Sequence, residues 1–117
     1  MDSSLAFYKQ CVKKLLSQYE LLKDKESEIE LIFDDERMRY MVLWIGWHDY
    51  KRVHQCAVHI DIIGDVIAIQ LNDTEDLVVT ELVNMGIPQE KIILNFIHPK
   101  NRAYAEQEAA VVAARNT

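Results

Sequence analysis

The chain has 117 residues, 50% hydrophobic and 27% charged, with a net charge of −6 from 13 basic and 19 acidic side chains. That length feeds one hydrophobic core and would starve a second, and the apolar content excludes a disordered chain. The acidic balance argues against independent binding of nucleic acid, whose dense negative charge is ordinarily neutralised by clustered Lys and Arg.

From Ser4 to Leu22, apolar residues recur at Leu5, Tyr8, Val12, Leu15, Leu16, Tyr19 and Leu22, the three-and-four spacing of one helical face. Ser3 or Ser4 can cap this helix, because a serine hydroxyl accepts from an unpaired amide of the first turn. The beginning, MDSSLAFYKQ, has no basic start followed by an apolar run. No stretch approaches the ~18 apolar residues of a membrane span. The expected location is therefore cytoplasmic, and the expected state of Cys11 and Cys56, each set among apolar neighbours, is a reduced, packed thiol.

Glu28 to Phe33 alternates polar and apolar, with Ile29, Leu31 and Phe33 on one face, which predicts a first strand closed by the turn residues Asp34 and Asp35. Met38 to Trp47 is apolar on both faces, so something must pack on each side of this second strand. Trp44 and Trp47 fall on its opposite faces. After the short polar connection His48 to Lys51, the segment Val53 to Ile62 separates into two sets. His54, Cys56, Val58, Ile60 and Ile62 form the expected core face, and Val53, Gln55, Ala57, His59 and Asp61 the opposite one.

Gly64 and Asp65 predict a hairpin turn into a fourth strand, Val66 to Leu71. Asn72, Asp73 and Thr74 offer capping oxygens, and Glu75 and Asp76 place negative charge in the first turn of a second helix, continued by Leu77, Val78, Glu81, Leu82 and Met85. Gly86 and Pro88 stop it near Asn84, and Lys91 to Phe96 starts again as a fifth strand. The expected fold is α+β: an N-terminal helix, a four-stranded antiparallel meander, a second helix and a fifth, C-terminal strand. Residues 1–104 form one domain, and 105–117 a tail of good helix formers with a thin apolar set.

His59 and Asp61, two apart on a strand, share a face and suit either an interfacial hydrogen-bonded pair or an acid–base or metal pair. A catalytic metal normally takes three protein ligands, and two are visible here. Cys56 beside His54 on an apolar face reads as packing rather than as a nucleophile and base. The only glycines are Gly46, Gly64 and Gly86, too few for a phosphate-cradling loop. Catalytic residues, cofactor and metal are all expected to be none. The candidate interaction face is Gln55, Ala57, His59 and Asp61 with Trp44 and Trp47. If the chain touches nucleic acid, Lys51, Arg52, Lys100 and Arg102 are the candidate contacts. A small sheet apolar on both faces, with two good helices, predicts that a second copy completes one face as a homodimer.

Taken together, Ile45-Gly46-Trp47, Arg52-Val53, His59-Ile60-Asp61-Ile62, Ile69-Gln70, Asn72 to Leu77, Glu81-Leu82-Val83 and Gly86-Ile87-Pro88 resemble the XisI family in order and spacing. The likeness is strongest from Leu31 to Phe96 and extends weakly to Pro99, Arg102 and Tyr104. It implies an fdxN-element excision controlling factor, a cyanobacterial accessory protein of a site-specific DNA rearrangement rather than the recombinase. It also implies a companion, the nuclease-fold protein XisH, and carries no catalytic residues onto this chain. After Tyr104 the sequence departs from the family pattern.

Overall fold

The structure, a computed structural model, describes residues 3–98. Its elements are α1 (Ser3–Ser17), a 3-10 turn (Gln18–Leu22), β1 (Ser27–Asp34), β2 (Arg39–His48), β3 (Lys51–Ile63), β4 (Val66–Asn72), α2 (Val78–Asn84), a second 3-10 turn (Gln89–Lys91) and β5 (Ile92–Leu94). The strands lie in one sheet in sequence order. β1 to β4 pair antiparallel through hairpins, and β5, returning after α2, pairs parallel to β4. The expected architecture is the observed one. The tail 105–117, with Lys100 and Arg102, lies outside the described residues.

One face of the sheet carries the core. Its cross-strand rows are Phe33–Tyr40–Ile60–Ile69 and Leu31–Val42–Val58, continued by Ile62–Ile67–Ile92. Onto them α1 lays Tyr8, Cys11, Val12, Leu15, Leu16 and Tyr19, and α2 lays Val78, Val79 and Leu82, in a single buried cluster. This is the stripe that the spacing of α1 predicts, with one exception. Leu22 is 54% exposed and its neighbour Leu21 86%, both in the 3-10 turn that ends the helix.

Turn chemistry sets the register. Asp34 Oδ1 accepts from the amides of Glu36 (3.0 Å) and Arg37 (2.9 Å), which nucleates the β1–β2 turn. Asp49 takes a left-handed φ of 58° in the two-residue β2–β3 hairpin, and Gly64 one of 63° between β3 and β4. The capping oxygens before α2 do something other than cap it. Asn72 Oδ1 accepts from the Thr74 amide at 3.1 Å, Asn72 Nδ2 donates to the Asp76 carbonyl at 3.0 Å, and Thr74 Oγ1 accepts from the Asp76 amide at 3.2 Å. This closed turn delays the helix to Val78, whose N-cap residue, Leu77, makes no side-chain cap. Gly86, with φ of 110°, ends α2 as expected.

Two bulges change the reading of the sheet faces. Val42 pairs with Val58 and Leu43 with Cys56, so Ala57 is an extra residue in β3. His59 pairs with Leu71 and Ile60 with Ile69, so Gln70 is an extra residue in β4. A bulge inverts the alternation on one side of itself. Val53 and Gln55 therefore lie on the same face as Val58, beside Trp44, while His54 and Cys56 lie on the outer face with His59 and Asp61. The expectation that Gln55, Ala57, His59 and Asp61 share one face is thus corrected: strict period-two counting fails at Ala57, which is buried in the core cluster.

Candidate functional site

The outer face of the sheet is not a plain solvated surface. Its rows are Glu30–Leu43–Cys56, Ile32–Met41–His59–Leu71 and Asp34–Arg39–Asp61–Ala68–Ile93, with Trp47 beside Arg52 at one end. Both described α-helices pack on the opposite side. Outer apolar groups that remain exposed include Ile32, Trp47, Ile63 and Leu71, with Trp47 at 53%.

On the central strand of this face, near the end of the sheet that carries the β1–β2 and β3–β4 turns, Asp61 is 5% exposed and is the buried charged residue among those described. Burying a carboxylate is costly unless every lone pair finds a donor, and the strand order brings those donors in. Asp61 Oδ1 is 2.7 Å from His59 Nε2, and Oδ2 accepts from Gln70 Nε2 at 3.1 Å. Arg39 Nε lies 3.6 Å from Oδ2. Asn95 Nδ2 donates to Gln70 Oε1 at 3.2 Å, and the Asn95 amide is fixed on the Ile69 carbonyl at 2.8 Å. The bulge at Gln70 and the small Ala68 opposite Asp61 suit this network. It ties β2, β3, β4 and the segment after β5 into one plate.

Sequence reasoning finds the His59–Asp61 pair but misses Arg39, Gln70 and Asn95. Its missing signal is pairing: once the hairpins are in register, Arg39 falls opposite Asp61. Chemically the network is saturated. No buried side-chain nitrogen or oxygen among the described residues lacks a partner. No group of three or more His, Cys, Asp or Glu among them is placed to hold a metal ion. The three cavities described below are lined by neither His59 nor Asp61.

The other candidates fall apart in space. Trp44, 37% exposed, lies on the core side of the sheet, and Trp47 on the outer side. Trp47 holds the Arg52 guanidinium 5.1 Å from its ring centre, so one of the proposed nucleic-acid contacts is already engaged with an indole. Cys56 sits on the outer face, donates to the Val58 carbonyl at 3.3 Å, and has its thiol pushed up by burial. That is the wrong direction for a nucleophile. Cys11 is buried and raised for the same reason.

Three cavities among the described residues bear on the candidate sites. The first, of about 340 Å³, lies at the end of the sheet under Trp44, walled by the Asp24–Ser27 turn, His48, Val53 and Gln55. The second, about 260 Å³, lies between Tyr19, Leu22, Asp76 and Glu81. There the Tyr19 hydroxyl donates to Asp76 Oδ2 at 2.7 Å, and burial followed by the Asp76 charge raises Glu81. The third, about 400 Å³, runs between α1 and α2 along Phe7, Cys11 and Met85.

Comparison with known proteins decides the family. The XisI protein family model matches residues 1–109. The chain belongs to the XisI family. Its fold superposes on the crystal structure of a XisI-like protein from Anabaena variabilis with a TM-score of 0.80 and 38% identity, over 86% of this chain and 94% of that one. It also superposes on the fdxN element excision controlling factor XisI of the same organism, with a TM-score of 0.77 and 31% identity, over 89% and 96% of the two chains. No curated protein matches. The residues that carry the XisI likeness have visible structural jobs. His59 to Ile62 alternates network and core, Asn72 to Asp76 builds the turn before α2, and Gly86-Ile87-Pro88 closes that helix. At Gly46 a Cβ would lie 2.4 Å from the Glu26 carbonyl oxygen.

Proposed function

We propose that this protein is a non-enzymatic accessory factor of the excision-controlling type, cytoplasmic, acting by protein contact through the outer face of its sheet. The observation that carries this reading is the outer face itself. Exposed Ile32, Leu71 and Ile63 flank a buried, fully paired carboxylate, with exposed Trp47 at the far end of the same face, and this combination of apolar groups with a rigid polar network suits recognition. Family membership supports the controlling role, since one superposable relative is described as the fdxN element excision controlling factor.

The partner proposed is a nuclease-fold protein of the XisH type, which the chain would position or restrain at its DNA. The charge of −6 favours this over direct reading of DNA. Co-expression with the neighbouring nuclease-fold protein tests it: co-elution at micromolar concentration is expected, and separate elution would remove the proposal. A second copy of the chain is the other protein that fits the same face, because a two-fold pairing sets the row Ile32–Met41–His59–Leu71 against itself. Sedimentation of the chain alone reads that homodimer, and a monomer with an intact partner complex would exclude it.

A further inference from the structure

The cavity under Trp44 is built, not incidental. Its wall is the Asp24–Ser27 turn, which lies so close on β2 that only glycine fits at Gly46, where a Cβ would meet the Glu26 carbonyl at 2.4 Å and Ser27 Cα at 2.9 Å. The same carbonyl accepts from the Trp47 amide at 3.1 Å, fastening the turn to the strand. The bulge at Ala57 supplies the far side, because it turns Val53 and Gln55 toward Trp44 rather than away from it. A space of about 340 Å³ results, with two indoles (Trp44 and Trp47), the His48 imidazole, an amide and two carboxylate residues around it and no Lys or Arg in its lining.

Asp24 is the most defined of these groups. Its Oδ1 accepts from the Glu26 amide (2.8 Å), the Ser27 amide (3.0 Å) and the Ser27 hydroxyl (3.0 Å). Those bonds hold the carboxyl below its ordinary range, so the group is an anion at neutral pH. All of them fall on one oxygen, so Oδ2 keeps acceptor capacity for a further donor. With Glu26 beside it, the site repels phosphate and attracts a cation.

We propose that this cavity receives an arginine side chain presented by a partner protein. A guanidinium is flat, so it stacks on an indole, and it carries paired donors that match a carboxylate, whereas an ammonium offers a compact, strongly hydrated charge. The fold itself shows the stacking at the neighbouring tryptophan, where Arg52 lies over Trp47. Val53 covers the aliphatic stem, and Gln55 can accept from the guanidinium edge. Trp44, Val53 and Gln55 lie on the opposite side of the sheet from His59 and Asp61, and Trp47 is the outer-face residue that also reaches the lining, so substitution of Asp24, which has no part in the outer face, reads this inference separately from the outer-face reading.

The test is titration of the full chain with a capped Gly-Arg-Gly peptide, followed by the indole N–H resonances in NMR, with the isosteric citrulline peptide as the uncharged arm. Saturable movement of the Trp44 resonance in the millimolar range is expected with arginine and not with citrulline. Asp24→Asn keeps an Oδ1 acceptor for the turn amides but removes the charge, and should weaken binding roughly tenfold while leaving the urea midpoint in place. Val83→Ala, on the exposed side of α2, should bind as the parent does. Absence of a saturable Trp44 shift, equal binding of citrulline, or unchanged binding by the folded Asp24→Asn variant would each overturn the proposal.

Discussion

The two faces of the sheet are made of the same five strands and solve opposite problems. The inner face presents Tyr40, Val42, Val58, Ile60, Ile62, Ile67 and Ile69 to two helices and buries them in one cluster. The outer face has no described helix over it, yet it holds a carboxylate at 5% exposure by spending His59, Gln70 and Arg39 on that one group. Burial of apolar surface is the dominant stabilising term in a domain of this size. A buried ionic network is a poor way to gain stability. The difference assigns folding to the inner face and is the ground on which the outer one is proposed as the recognition surface.

The largest effect should come from emptying the inner face. Ile60→Ala, at a fully buried position, is expected to cost about 2–5 kcal/mol in urea denaturation. A cost no greater than that of an outer apolar truncation would erase the contrast. Next, Asp61→Ala should cost about 1–3 kcal/mol, because it strands the donors of His59 and Gln70. A neutral result would mean that the network contributes nothing to the plate. Gly46→Ala should cost a similar amount, about 1–3 kcal/mol, by forcing the Asp24–Ser27 turn off β2.

A smaller, pH-dependent effect belongs to Asp35, where Lys13 Nζ (2.9 Å) and the Tyr40 hydroxyl (2.8 Å) meet and hold the carboxyl below its ordinary value. A carboxyl lowered by folding stabilises the fold above its unfolded pKa of about 3.8 and loses that contribution as pH falls through the folded value. Asp35→Ala should therefore flatten the acid limb of a stability–pH curve while costing only about 1 kcal/mol at neutral pH, since the ion pair is half exposed. Least of all, Ile63→Ala on the outer face should stay within about 0.5 kcal/mol.

How much of this the chain announces depends on local rules being left alone. Period-3.6 spacing finds α1, alternation finds the strands, Gly64 finds its hairpin, and Gly86 with Pro88 finds the end of α2, because each is decided by neighbours in sequence. The Ala57 bulge is invisible to such rules. Nothing in Gln55-Cys56-Ala57-Val58 marks the inserted residue, and a single insertion moves Gln55 from the face of His59 to that of Trp44. The turn before α2 misleads for a related reason, since Asn72 bonds the Thr74 amide and the Asp76 carbonyl, and Thr74 the Asp76 amide, rather than the first turn of the helix. Of the candidate site, the local pair His59–Asp61 is legible, but Arg39, Gln70 and Asn95 arrive only through strand pairing.

The measurement closest to the central claim is the affinity of a double variant, Ile32→Glu with Leu71→Glu, for the proposed nuclease-fold partner, read beside its urea midpoint. These two exposed side chains end the row that crosses Met41 and His59. The account predicts that the variant folds as the parent does and loses at least roughly tenfold in affinity, the scale of removing well-placed interface anchors. A folded variant that binds as tightly as the parent would contradict the claim that the outer face is where this protein acts.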